Sequence, residues 1–162
     1  MVLLIEGMAM CLIMLMTCVI GIAVKGPAGL VTFYEEDVQK RVIELGLNDA
    51  AGIRRSAVLS GIAVLLPVVF FIPAMVYGLN GATGFAQGFG QMLVIGWIYG
   101  LFDRIFIDWY WVEHTNAWLI PGTEDLKPYI PRSAKIKKWA ATLILFPLYF
   151  ALAAYVMTLF ER

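Results

Sequence analysis

The sequence predicts an all-α integral membrane protein: a single membrane domain, 1–162, in which four transmembrane helices form a bundle with two ordered cytoplasmic loops, N-out and C-out. Three observations carry this reading. Hydrophobic residues make up 61% of the chain and charged residues only 15%, more apolar surface than a small soluble fold can bury. The apolar residues gather into four runs, each near or above the length of about 20 residues that a helix needs to cross a bilayer. Eleven of the twelve basic residues fall on one side, ten of them in only two of the connections and Arg104 toward the end of the third run.

The first run, 2–24, carries Glu6 as its only charge. No Lys or Arg precedes it and it is longer than a signal-peptide core, so it reads as an uncleaved first helix. Residues 25–55 form the first cytoplasmic loop. Within it, Val38, Val42 and Leu45 recur at i, i+4 and i+7, which marks a short amphipathic helix over 35–47 ended by Gly46 and the Asn48-Asp49 pair. That helix either caps the bundle or lies on the membrane surface, and its mixed charge favours capping.

The second run, 56–77, is uncharged, and Pro67 should kink it. The third, 81–112, carries small residues at helical spacing: Gly84 and Gly88, Gly96 and Gly100, with Ala82, Ala86 and Gly90. Such a face lets helices approach closely where the hydrophobic effect cannot drive association. Packing within the chain is its first expected use; contact with a membrane-protein partner or a homo-oligomer is the second. In the second loop, 113–138, Pro121-Gly122 marks a turn, Thr123 is placed to cap a helical turn, and Ser133 to cap the last helix. The fourth run, 139–160, is uncharged and contains Pro147.

Charge sets the orientation. Lys25, Lys40, Arg41, Arg54 and Arg55 lie in the first long connection; Arg104, Lys127, Arg132, Lys135, Lys137 and Lys138 lie at or in the second. The positive-inside rule places these on the cytoplasmic side, leaving Arg162 outside. The expected location is the cytoplasmic, inner membrane of a bacterium or archaeon, with the lipid bilayer as first partner. The formal net charge of zero gives no electrostatic case for nucleic acid.

The stretch from Asp103 to Thr115 concentrates the chemistry. At about 100° per residue, Asp103, Tyr110 and His114 share one face, while Arg104, Asp108, Trp111 and Thr115 share the adjacent one. Arg104 and Asp108, at i and i+4, are within ion-pairing reach. Asp103, Asp108, Glu113 and His114 are therefore the candidate acid–base residues, and Arg104, Tyr110 and Trp111 the candidate ligand-binding residues. No metal site is expected: Asp103 and His114 lie about 16 Å apart on a straight helix, and Asp103 and Asp108 point about 140° apart. Glu6 is a candidate proton or ion relay near the opposite surface. Cys11 and Cys18, two turns apart on one helix, read as free thiols.

No Walker A loop, G-x-S-x-G elbow, H-E-x-x-H helix or histidine box occurs, and no motif names a cofactor. In size and topology the chain resembles the small membrane glutathione enzymes of eicosanoid metabolism. Those carry an Arg/Asn/Glu-rich second helix, which has no counterpart in 56–77, so no family is assigned. The expectation is a small polytopic membrane protein acting as a non-catalytic subunit or as a binder of a lipophilic small molecule. The alternatives are a membrane enzyme working on an amphipathic substrate at the cytoplasmic interface and a small oligomeric transporter.

Overall fold

A chain this apolar must satisfy its backbone polar groups locally, and it does so with helices throughout. The computed structural model describes residues 1–160. Its elements in order are α1 (Val2–Lys25), α2 (Glu36–Glu44), α3 (Ala50–Leu79), α4 (Gly84–Val112) and α5 (Arg132–Thr158). No strand occurs among the described residues. All but α2 are long and apolar enough to cross a membrane. Arg162, the one basic residue assigned to the outer side, lies outside the described residues.

Two spans begin earlier than their apolar runs. α3 starts at Ala50 because Asp49 caps it, its carboxylate accepting from the Gly52 N–H at 2.6 Å. α5 starts at Arg132, with Pro131 at the capping position and Ser133 already inside the helix, so Ser133 does not cap it as expected. Lys135 and Lys138 therefore stand on a helix instead of in a loop.

The winding is not uniform. Wide π turns occupy Pro67–Phe71 and Met75–Leu79 in α3, Ala141–Leu145 in α5 and Asp103–Val112 in α4. Pro67, Pro73 and Pro147 lack the N–H that α winding requires, and three of these stretches lie beside them. The fourth, at the charged end of α4, has no proline.

α4 is the central helix, packed against α1 and α5. Three of its glycines, Gly88, Gly96 and Gly100, serve contacts within the chain. A Cβ on Gly96 would overlap the ring of Phe150, one on Gly88 the phenol of Tyr77, and one on Gly100 would meet Thr142 at 2.7 Å. Around this seam Met10, Met14, Met92, Ile95, Tyr99, Phe150 and Ala154 are buried.

At the end carrying both long connections, a second layer closes the bundle. After α1 the chain turns through a short 3-10 segment, Pro27–Phe33, held against α3 by the Ser56 hydroxyl donating to the Gly29 carbonyl. α2 ends at Gly46, whose φ of +67° is a conformation glycine adopts freely. There the Leu47 and Gly46 N–H groups donate back to the Val42 and Ile43 carbonyls. Val38 and Val42 are buried as their spacing predicts, whereas Leu45 remains half exposed beside Gly122. Arg41 pairs with Asp125 at 3.3 Å and donates to the Gly122 carbonyl, so α2 packs on the second connection as a cap. Under it Tyr34 stacks on Tyr129 at 4.7 Å, and Trp118 meets Trp111 edge-on at 5.4 Å. Thr123 precedes the turn Glu124–Leu126 but does not cap it. Its buried hydroxyl bonds instead to the Ile120 carbonyl and the Tyr129 hydroxyl.

Candidate functional site

Below the cap, the last turns of α4 and the first turns of α5 bring six charged side chains together. Arg104 pairs with both Asp103 and Asp108, the latter at 2.5 Å. Asp108 also holds Lys138 at 2.9 Å, and Glu113 holds Lys135 at 2.7 Å. The π winding makes this possible. With hydrogen bonds running from i to i+5, Asp103 and Asp108 come onto one side and share a single guanidinium, correcting the 140° separation expected from α geometry. The side chains of Arg104, Asp108 and Asp103 are only 11%, 14% and 21% exposed. In such a setting ion pairs are screened weakly, and stranding one partner is costly.

Two cavities flank this network. The outer one, of about 210 Å³, is a cleft between α4 and α5 lined by Arg104, Asp108, Glu113, Lys135 and Lys138 with Ile105, Trp109 and Trp139. Its charges are three cations against two carboxylates, and Ile105, Trp109 and Trp139 are exposed on the bundle surface. The inner one, of about 160 Å³, lies on the other side of Arg104, Asp108 and Lys138, beneath Tyr34 and Trp118. Burial pushes the Tyr34 phenol well above its ordinary pKa, so it serves there as a neutral hydroxyl.

The other residues singled out from sequence sit elsewhere. His114 is exposed, with Nδ1 2.6 Å from the Trp109 carbonyl and its ring tilted against the Trp109 indole; it does not line the cleft. Tyr110 is half exposed beside Phe106, and Trp111 contributes to the aromatic layer under the cap. Glu6 lies at the opposite end, accepting from the Asn80 side-chain amide at 3.0 Å, and Asn80 also donates to Gln91. No three His, Cys, Asp or Glu side chains assemble into a metal-ligand set among the described residues. Cys11 and Cys18 are buried free thiols.

Sequence reasoning missed Lys135, Lys138, Trp139 and Trp118. A signal for the lysines was present: Lys135 and Lys138 stand at i and i+3, directly before an uncharged run, facing a helix that ends in three acids. Trp118 had no such signal, because its position depends on how the second connection folds back. No known family, curated protein or solved structure matches this sequence significantly.

Proposed function

We propose that this protein is a non-catalytic binder of an anionic amphiphile, which it holds at the cytoplasmic face of a cell membrane in the cleft between α4 and α5. The observation that carries the reading is the pairing, in one cleft, of Arg104, Lys135 and Lys138 with the exposed surfaces of Ile105, Trp109 and Trp139. Tryptophan favours the membrane–water interface, where one side of the ring is apolar and the other wet. Lysines on a helix beside it offer mobile cationic heads for an anionic headgroup. The apolar part of the ligand then runs along Ile105 and the indoles into the bilayer. In this reading both long connections face the cytoplasm, as the bias of basic residues requires. The acids that line the cleft each engage a cation, an arrangement suited to holding charge in place.

The test is native mass spectrometry of the protein released from nanodiscs that contain equal amounts of phosphatidylglycerol and phosphatidylcholine. Retention of phosphatidylglycerol in preference to phosphatidylcholine is expected. The variant Lys135→Gln, which leaves two cations against two carboxylates in the cleft, should lose most of that preference, whereas the control Glu113→Gln, which raises the excess of positive charge, should keep it. Equal retention of the two lipids by the parent protein, or an unchanged preference in Lys135→Gln, would overturn the reading.

A further inference from the structure

The inner cavity poses a question that the outer cleft does not answer. Trp118 is only 2% exposed, and its indole Nε1 has no hydrogen-bond partner among the described residues. Arg104 is in the same condition on one side: its Nε is buried and unpartnered although its terminal nitrogens are engaged by Asp103 and Asp108. Both side chains line the inner cavity. Buried polar groups are almost always satisfied, and an orphaned N–H forfeits the bonds that it would make to water.

What would satisfy them is constrained by the rest of the wall. Both unpartnered groups are donors, so the missing group is an acceptor. The charges that line the cavity, Asp103 and Asp108 against Arg104 and Lys138, already balance, which favours a neutral acceptor over an anion. Away from these groups the lining is apolar, with Met14, Phe33, Val64, Ile107, Val112 and Ile130. A volume of about 160 Å³ has room for about five waters at roughly 30 Å³ each, but a stable buried water needs two to four polar partners, and the apolar side of the wall supplies none. The same volume is well below the roughly 300–1,000 Å³ of pockets for drug-sized ligands. It suits one ring or headgroup. Phe33 is exposed, which gives this space an edge toward the bundle surface.

From these observations we propose that the cavity beneath the cap is a second binding site, for a neutral, ring-sized apolar molecule bearing a carbonyl oxygen, such as a quinone head, which accepts from the Trp118 indole N–H and from Arg104 Nε. The site shares Arg104, Asp108 and Lys138 with the outer cleft but can be tested apart from it: Lys135 and Glu113, whose replacement tests the cleft, do not line it.

The experiment is calorimetric titration of the protein in nanodiscs, with empty nanodiscs subtracted, using the single-ring tetramethyl-1,4-benzoquinone. Its blocked ring positions prevent addition of the Cys18 thiol, which also lines the cavity. The matched hydrocarbon 1,2,4,5-tetramethylbenzene is the control. Saturable one-to-one binding of the quinone is expected, at least tenfold tighter than the hydrocarbon. Trp118→Phe, which keeps an aromatic ring and removes the N–H, should weaken quinone binding at least tenfold, whereas Trp97→Phe should leave it unchanged. If Trp118→Phe does not fold, the indole 15N–1H resonance of Trp118 in the unaltered protein gives the answer, through a downfield proton shift that the quinone causes and the hydrocarbon does not. No saturable binding, equal binding of the two probes, or an unmoved Trp118 resonance would leave the cavity to water alone and overturn the proposal.

Discussion

Arg104 is the hub of the charged network, and its removal should be more damaging than any other single change there. The guanidinium serves two carboxylates, Asp103 and Asp108, and among the described residues only Asp108 has a further cation, Lys138. Arg104→Met therefore strands Asp103, whose side chain is 21% exposed. Breaking a buried pair by removing one member costs about 3–5 kcal/mol, against about 0–1 kcal/mol for an exposed pair. Allowing for the residual exposure of Asp103, a loss of about 3 kcal/mol is expected, roughly two powers of ten in the folded-to-unfolded ratio. The network also specifies which second change rescues it. Arg104→Met/Asp103→Asn leaves Asp108 on Lys138 with every charge paired, and should recover most of the loss. Arg104→Met/Asp108→Leu leaves Asp103 and Lys138 without these partners and should recover little. Reversible unfolding in mixed micelles, followed by far-UV circular dichroism as the denaturing detergent fraction rises, measures all three. Equal stability of the two double variants, or a single variant within about 0.5 kcal/mol of the parent, would refute the reasoning.

Three further outcomes follow from the same structure. Gly96→Leu should destabilise by at least the roughly 1–3 kcal/mol typical of overpacking, because the Phe150 ring fills the space, while Gly90→Leu, with nothing near its Cβ, should be nearly neutral in the same unfolding assay. Tyr129→Phe should cost about 1–3 kcal/mol, since it orphans the Ile120 N–H and takes a partner from Thr123; faster hydrogen exchange at Ile120 checks it. Single cysteines at Glu35 and Lys127 should resist a membrane-impermeant maleimide in intact cells, and labelling of both from outside would reverse the orientation.

The four spans were legible because hydropathy and length are properties of contiguous sequence. The cap was legible in part: Val38 and Val42 announce a buried stripe, and Gly46 announces its end. The charged site was half legible. Arg104 and Asp108 pair at i and i+4 under either winding, but the meeting of Asp103 with Asp108 on Arg104 depends on π turns that no proline signals. The inner cavity was not legible, since Trp118 reaches it through long-range packing of a connection without a hydrophobic period.

The bend in α3 has a bearing on motion. Pro73 cannot offer an N–H to the carbonyl of Val69, four residues earlier, and the Tyr149 hydroxyl of α5 takes that place at 2.8 Å. Three residues before Pro67, the Val64 carbonyl receives the Tyr99 hydroxyl of α4 at 2.9 Å. The two weakest points of α3 are thus each tied to a different neighbour, so that the proline-rich half cannot swing as a free hinge. The two phenols tie α3 to the same two helices that form the charged cleft. A separation of α4 from α5 along their whole length would therefore strain one or both of these phenol contacts to α3.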